Sequence, residues 1–376
     1  MDDQPHFLFA SCQRGAEAAL KSEVTERIPG ARLAFSRPGF VTFKLPLELE
    51  PDPSFHGPWV FARTHGHSLG KVAGHSLRQL AAETWSLVAQ VPPRPIQDLH
   101  VWQCDADLPG QHGFEPGQTP LAEEVERALR EAAPADSSLR AGARNSASPT
   151  PRNLGVIDVV LVSPSEWWIG WHRVSTPEQR WPGGVIPITR PAHATSRAYL
   201  KIEEVLRWSS FPLTDGDEWV EIGCAPGGAC QALLDRGQFI TGIDPAEVDA
   251  SLLAHERFRH LQMRSADVRR REFRDVDWLA ADMNVAPNYT LDAVEAIVLH
   301  PGVTIRGLVL TLKLTEWNLA DSLPDYLARI RGWGFRDVRA RQFAYNGREV
   351  GVVALRRRAL RRIHRASRQR RPATRG

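Results

Sequence analysis

The stretch 219–228, Trp-Val-Glu-Ile-Gly-Cys-Ala-Pro-Gly-Gly, constrains the fold of this chain more than any other. An apolar run typical of a strand breaks into glycines and then continues as a helical pattern over 229–236. Glycines accept positive φ and let a ligand approach the main chain, while free N–H groups at the start of the following helix point toward that ligand. The stretch therefore predicts a cofactor loop, although an ordinary strand-to-helix turn can have the same pattern.

Two acidic residues favour the cofactor interpretation. Glu221 stands two residues before Gly223, and the next apolar run, 239–243, ends in Asp244. An acid at the end of the second strand, about 20 residues after the glycines, is placed to hydrogen-bond a ribose diol. The spacing Glu-x-Gly-x-Ala-x-Gly-Gly differs from the dinucleotide pattern G-x-G-x-x-G, so we favour S-adenosylmethionine (SAM) over NAD.

Strand-type and helical patterns alternate from residue 219 onward, and the last two strands, 337–342 and 349–355, have no helix between them. This order predicts an α/β, Rossmann-like domain over 182–355, with a mostly parallel sheet and a terminal antiparallel pair. Ligands of such sheets bind at the carboxyl ends of the strands. Four polar residues follow predicted strands there: Asp244, Asp267, Asp282 and Lys313.

The N-terminal half predicts an α+β region of two modules, 1–75 and 76–181, with a strand at 59–64 and a flexible insertion at 134–153. Its tryptophans Trp167, Trp168 and Trp171 belong either to the core or to an aromatic surface for RNA bases. The connector 182–191, rich in proline and glycine, precedes a helix at 195–208 with Thr195 or Ser196 as its N-cap.

Composition excludes several classes of protein. The 376 residues are enough for two or three domains. No apolar run reaches the roughly 20 residues that span a membrane, and the N-terminus lacks the basic start of a signal peptide, so we expect a cytoplasmic protein. The cysteines form no C-x-x-C pair and have no histidine at ligand spacing, so we expect neither disulfides nor a metal site. They are Cys12, Cys104, Cys224 and Cys230.

Basic residues are concentrated at the end of the chain. The segment 356–376 holds ten of the 47 lysines and arginines and no acid, so the remaining 37 basic residues face all 44 acidic ones. Such an Arg-rich tail is either a solvated end or an arm that neutralises RNA phosphates. The chain has only five lysines against 42 arginines. A retained lysine can do one thing that arginine cannot, which is to lose a proton.

Four residues in order around the glycine stretch carry a resemblance: Lys201, Asp282, Lys313 and Glu349. Each alone fits a surface or strand-end residue. Together they resemble the Lys-Asp-Lys-Glu tetrad of the FtsJ-type RNA ribose 2'-O-methyltransferases, and within them the chain is most similar to the large-subunit rRNA methyltransferase M group. The likeness extends over about 191–355 and includes Ser196-Arg-Ala-Tyr-Leu-Lys201, Leu312-Lys-Leu314, 341–345 and Arg348-Glu-Val350.

The resemblance implies SAM-dependent 2'-O-methylation of a ribose in RNA, namely a cytidine of 23S rRNA. Lys313 would be the general base, Lys201 and Glu349 would steer the hydroxyl, and Asp282 would orient Lys313 and face the cofactor. A lysine acts as a base only if its pKa is depressed, and we expect the second ammonium nearby to favour the neutral amine.

The resemblance also implies a set of cofactor contacts, with Asp267 on the adenine. They are Ser196, Glu221, Gly223, Ala225, Pro226, Gly227, Gly228, Asp244, Asp267 and Asp282. Glu221 replaces the family's usual aspartate, and Ala229 stands where the family usually has tryptophan. The N-terminal region would be a THUMP-like RNA-binding region, and we expect a monomer. Two alternatives stay open: a ribose methyltransferase that acts on tRNA or another RNA, and a non-catalytic RNA-binding or assembly protein.

Overall fold

The computed structural model describes residues 6–46, 59–90, 96–135, 137, 139, 148–357 and 359. The chain forms two compact units that divide between Pro187 and Ile188, inside the predicted connector. Half of the predicted insertion 134–153 and most of the predicted tail 356–376 lie outside the described residues. Among those described, no helix has the length and apolar character needed to cross a membrane.

Unit 1 is built on one seven-stranded sheet in the order β2-β3-β1-β4-β7-β6-β5. Its strands are β1 (Phe7–Ser11), β2 (Arg32–Arg37), β3 (Phe40–Lys44), β4 (Thr64–Ala73), β5 (Ile96–Gln103), β6 (Gly155–Ser163) and β7 (Glu166–Arg173), and its helices are α1 (Glu17–Arg27), α2 (Leu77–Val88) and α3 (Pro120–Glu131). All neighbouring strands are antiparallel except β5 and β6. Because β4 pairs with both β1 and β7, the two predicted modules 1–75 and 76–181 share this sheet.

The predicted strand at 59–64 is wrong, since the strand begins at Thr64 and continues to Ala73. Gly66 interrupts the apolar pattern by which this strand could be recognised in the sequence. A Cβ at Gly66 would lie 2.5 Å from the Trp171 carbonyl oxygen, so the glycine serves close packing of β4 on its neighbour and not a turn.

Helices α2 and α3 cover one face of the unit 1 sheet. Each begins with a hydroxyl cap: Ser76 Oγ accepts the Gln79 N–H, and Thr119 Oγ1 accepts the Ala122 N–H. The three tryptophans of β7 are packing residues. Trp167 and Trp171 belong to the core beneath these helices, and the Trp168 ring lies 4.5 Å from that of Phe35.

Unit 2 contains the second sheet, in the order β10-β9-β8-β11-β12-β14-β13. Its strands are β8 (Glu218–Ile222), β9 (Phe239–Ile243), β10 (Phe258–Leu261), β11 (Trp278–Ala281), β12 (Gly307–Lys313), β13 (Asp337–Arg341) and β14 (Glu349–Leu355), and its helices are α4 (Ala198–Ser209), α5 (Gly228–Leu234), α6 (Ala250–Leu253), α7 (Pro287–Val298) and α8 (Leu323–Gly332). The first five strands in this order are parallel, and β14 is antiparallel to both β12 and β13. The predicted parallel sheet with a terminal antiparallel pair is confirmed.

Both faces of this sheet are buried, as a parallel sheet requires. Trp219 and Trp278 pack with α4 and α5 in one core. The residues that follow them on their strands, Val220 and Leu279, are equally buried and point to the opposite side of the sheet. Unit 2 also continues past the predicted boundary at 355. Ala359 is fully buried in the same core.

Candidate active site

The glycine loop, 223–228, joins β8 to α5 and requires its glycines for close contact. Gly223 and Gly227 have φ of 80° and 121°. A Cβ at Gly223 would lie 2.6 Å from the Asp282 carbonyl oxygen, and one at Gly228 would lie 2.3 Å from Ser196 Oγ. Four of the predicted cofactor residues, Ser196, Gly223, Gly228 and Asp282, are thus immediate neighbours around this loop.

Asp244 ties the glycine loop to the end of β9. One carboxylate oxygen accepts the Ala225 N–H at 3.1 Å, and the other accepts the Ala246 N–H at 2.9 Å. A carboxylate offers about four acceptor sites, so two remain for a ligand. Asp267 is different, because it lies exposed on the 3-10 turn Ser265–Asp267, and no contact found among the described residues joins it to the loop.

The four tetrad residues come from four elements and meet at one edge of the sheet. Lys201 lies on α4, Asp282 follows β11, Lys313 ends β12, and Glu349 begins β14 directly opposite Lys313 in the strand register. Lys313 Nζ lies 3.0 Å from Asp282 Oδ1 and 2.5 Å from Glu349 Oε2. Lys201 Nζ lies 3.5 Å from Asp282 Oδ2 and also contacts Glu349 Oε1.

Each lysine of the tetrad is therefore paired with both carboxylates. Burial alone would lower the pKa of Lys313, but Asp282 and Glu349 outweigh it and raise that pKa above its usual value. The pKa of Glu349 is lowered, because the two ammonium groups outweigh the effect of its burial. The expectation of a depressed Lys313 pKa is wrong. The carboxylates contact each ammonium directly and stabilise its charged form.

Glu221 is buried beneath this edge, and its pKa is raised to about 8, mainly by burial. Its Oε2 accepts a hydrogen bond from the Cys230 thiol at 2.8 Å. The side chain lines a small cavity shared with Lys201, Asp282 and Ala229. The alanine that replaces the family's tryptophan thus lies on the wall of a space next to the tetrad.

Glu204 holds the turn before Glu349 in place, a role that we did not assign from the sequence. Its buried carboxylate accepts the N–H groups of Ala344 and Tyr345, both at 3.0 Å. Arg197 Nη2 donates to the Tyr345 carbonyl at 3.2 Å. These contacts attach the turn before Glu349 to α4. The only signal for this role is an acidic residue on the apolar side of a helix, beside Glu203.

The predicted N-cap of α4 is wrong. The helix begins at Ala198 with Arg197 at the cap position. Thr195 instead donates its N–H to Gln231 Oε1 at 2.8 Å, and Ser196 Oγ accepts the Ala198 N–H at 3.3 Å. The Thr195 hydroxyl also donates to Gln231 Oε1, at 3.1 Å, so Thr195 connects the segment before α4 to α5.

Rossmann-like methyltransferase domains have a mostly parallel sheet that ends in an antiparallel pair. A glycine loop follows the first strand of that sheet, and an acidic residue follows the second strand. Unit 2 has these features. Residues 194–320 match the family of FtsJ-like methyltransferases. Unit 2 therefore contains an FtsJ-like methyltransferase domain.

Relatives of the chain include several proteins named ribosomal RNA large subunit methyltransferase M. The protein of Alkalilimnicola ehrlichii is 36% identical over 114 residues, which cover 29% of this chain and 31% of the relative. That of Laribacter hongkongensis is 33% identical over 156 residues, or 40% and 43% of the two chains. That of Halorhodospira halophila is 28% identical over 184 residues, or 48% and 52%. The chain thus spans about a third to a half of the length of these relatives.

Proposed function

We propose that the protein is a SAM-dependent RNA ribose 2'-O-methyltransferase. The observation that carries the proposal is the meeting of Lys201, Asp282, Lys313 and Glu349 beside the glycine loop. Two lysines and two carboxylates at a cofactor edge provide what a ribose hydroxyl needs: charged groups that fix its position and an amine that can take its proton.

The cradle around the glycine loop fits SAM. Gly223, Gly227 and Gly228 leave space where any Cβ would collide, and Asp244 retains two acceptor sites for a ribose diol. When bound, SAM supplies a methyl group on a sulfonium, which is an electrophile for in-line displacement. Ser196, Ala225, Pro226 and Asp282 complete the wall of this cradle in the proposal. Asp267 is the adenine contact that we propose, on the resemblance alone.

Lys313 is the proposed general base. The lysine must release its own proton to solvent before the substrate hydroxyl reacts, because Asp282 and Glu349 keep its ammonium charged. Asp282 holds the Lys313 amine in place, while Lys201 and Glu349 orient the hydroxyl. The neutral Lys313 amine would then take the proton of the substrate hydroxyl and so make its oxygen a nucleophile for the methyl group that bound SAM would supply.

The substrate that we propose is a cytidine of 23S rRNA, since relatives in several bacteria are named large-subunit rRNA methyltransferases. Unit 1 would then be the THUMP-like RNA-binding region. A ribose methyltransferase that acts on tRNA is the second candidate, because the catalytic edge itself reads only a ribose hydroxyl. The third candidate is a non-catalytic RNA-binding protein.

Lys313→Arg tests the proposal in the full chain. Arginine keeps the positive charge but cannot deprotonate, so we expect methyl transfer to fall by at least roughly 100-fold, the lower range for a lost general base. SAM binding measured by calorimetry should stay within about three-fold, because charge is retained beside Asp282. Lys71→Arg is the matched control, since Lys71 also pairs with a carboxylate, Glu166 at 2.9 Å, but lies exposed in unit 1.

The assay uses radiolabelled SAM with 23S rRNA and tRNA from a strain that lacks the corresponding gene. Label in an alkali-resistant dinucleotide of 23S rRNA supports the proposal, because alkaline hydrolysis requires a free 2'-hydroxyl. Label only in tRNA favours the second candidate. Near-normal transfer by Lys313→Arg would remove the base assignment, and a wild-type chain that binds no SAM would favour the non-catalytic alternative.

A further inference from the structure

Three titratable side chains in unit 1 form a buried cluster far in sequence from the proposed active site. His100 lies on β5, Asp158 on β6 and His172 on β7, and their exposed fractions are 3%, 0% and 1%. Asp158 is the register partner of both His100 and Gly170, and His172 is two residues beyond Gly170. The period of two therefore places all three side chains on the same face of the sheet.

The cluster presents one ligand atom from each residue, and these atoms all lie within 4.8 Å of one another. Two buried atoms of these residues, His100 Nδ1 and Asp158 Oδ1, make no hydrogen bond within the part of the chain that the structure describes. Buried polar atoms in native proteins are almost always paired, so these two indicate that a further group belongs here.

Outer contacts fix the orientation of both imidazoles. His172 Nε2 lies 2.9 Å from the Gln179 carbonyl oxygen, which can only accept, so this nitrogen carries a proton. His100 Nε2 lies 2.8 Å from Thr150 Oγ1, and that hydroxyl donates to Asp98 Oδ2 at 2.6 Å. Thr150 must therefore accept from His100, whose Nε2 also carries a proton.

In both rings Nδ1 is therefore the nitrogen available to a ligand: His172 Nδ1 contacts Asp158, and His100 Nδ1 is buried without a hydrogen-bond partner among the described residues. A histidine that binds a metal typically donates its other ring N–H to a carbonyl or to a chain that ends in a carboxylate. Here His172 donates to a carbonyl, and His100 reaches the Asp98 carboxylate through a threonine hydroxyl. The His172 Nδ1 contact to Asp158 Oδ2, at 2.6 Å, is the position where an ion would replace a proton.

We propose that His100 Nδ1, His172 Nδ1 and the Asp158 carboxylate bind a Zn²⁺ ion in unit 1. Two imidazoles and one carboxylate are ligands that zinc commonly takes, with a water as the fourth in this buried setting. Bond lengths of about 2.0–2.2 Å place tetrahedral ligands roughly 3.3 Å apart, so side chains now within 4.8 Å need move by at most about 1.5 Å. The ion would join β5, β6 and β7 and, through Thr150 and Gln179, the segments that contact them.

The sequence predicted no metal site because the ligands are spread over three strands. His100 and Asp158 are 58 positions apart in the numbering, and Asp158 has no ligand-type residue at the short spacing of known zinc motifs. Only the pairing of β5 with β6 and of β6 with β7 brings them together.

The experiment is metal analysis of the tag-free full chain, produced in zinc-supplemented medium and dialysed. We expect about one zinc per chain in the wild type, and less than about 0.1 in Asp158→Asn and His100→Gln, because each substitution removes a ligand. His67→Gln is the matched control. His67 is a buried histidine of the same sheet, on β4, that lies outside the cluster, so this variant should keep its zinc.

A second measurement serves if a ligand variant fails to fold. The wild-type chain is unfolded in urea, and labelling of the buried thiol of Cys12 is measured by mass spectrometry. Because Cys12 lies in unit 1, this labelling reports the unfolding of that unit. We expect a chelator to lower its midpoint and added ZnCl₂ to restore it. A zinc-free wild type whose midpoint ignores both additions would overturn the proposal and assign the cluster to a His172–Asp158 ion pair. Zinc retained by both ligand variants would overturn it as well.

Discussion

Gly223→Ala tests whether close approach at the glycine loop sets the geometry of the tetrad. Alanine at the positive φ of Gly223, 80°, costs about 1–2 kcal/mol in backbone strain. Its Cβ would also lie 2.6 Å from the Asp282 carbonyl, and that distance must widen to at least 3.4 Å for ordinary contact. Overpacking of this kind costs about 1–3 kcal/mol more, which gives a total loss of about 2–5 kcal/mol for unit 2.

Gly302→Ala separates the two contributions. Gly302 also lies in unit 2 at positive φ, 87°, but a Cβ there would have no atom within 4 Å. This control should therefore lose only the strain of about 1–2 kcal/mol. The clash in Gly223→Ala also shifts the Asp282 main chain by about 0.8 Å, and a misplacement near 1 Å at a reacting site lowers turnover roughly 100-fold. Gly302→Ala should retain its methyl transfer.

The assay is urea unfolding with thiol labelling read separately at two cysteines. The fully buried Cys230 reports unit 2, and Cys12 in unit 1 is an internal reference. A loss of about 3 kcal/mol lowers the Cys230 midpoint by roughly 1–2 M urea, while the Cys12 midpoint stays unchanged. Equal losses of stability in Gly223→Ala and Gly302→Ala, or unchanged methyl transfer in Gly223→Ala, would refute the reasoning.

Two further predictions concern Glu221 and the end of the chain. Burial raises the pKa of Glu221 to about 8, so the folded state binds this proton more tightly than the unfolded state does, and its contribution to stability declines as pH rises from about 4.3 to about 8. Glu221→Gln cannot ionise and should flatten that decline in the Cys230 urea midpoint; parallel pH curves for variant and wild type would contradict this. Removal of 361–376, which hold seven arginines and no acid, should weaken RNA binding and reduce the slope of log K against log salt by up to roughly 5, as measured by filter binding. The cut spares the buried Ala359, and an unchanged slope would assign the segment to a solvated end.

Sequence alone predicted the fold of unit 2 well, because its strands are short, apolar and separated by helical patterns. The family resemblance, and not the strand pattern, singled out the tetrad residues; the structure brings their side chains together, and their catalytic roles stay a prediction. The sequence did not predict the charge state of Lys313. That property depends on distances of 2.5 to 3.0 Å to carboxylates contributed by two other segments, which no spacing rule encodes.

Unit 1 was less predictable for a related reason. The long strand β4 was missed because Gly66 has no side chain to continue an apolar pattern, and the pairing that requires this glycine is visible only once β7 lies beside it. Glu204 was missed because its partners, Ala344 and Tyr345, are about 140 positions away. Long-range contacts of this kind decide the role of a residue without marking it locally.

The antiparallel course of β14 has a consequence for how the chain can change over evolution. Parallel strands place only their last residues at the catalytic edge, whereas β14 places its first residue there, so Glu349 faces Lys313 across one rung of the ladder. Side chains alternate sides along a strand, so a slip of one residue in this pairing would turn Glu349 away from the tetrad. Glu204 binds the buried turn at 343–346 to α4. Insertions and deletions should therefore be rare between this turn and Glu349. They should be tolerated better in exposed loops at the opposite ends of these strands.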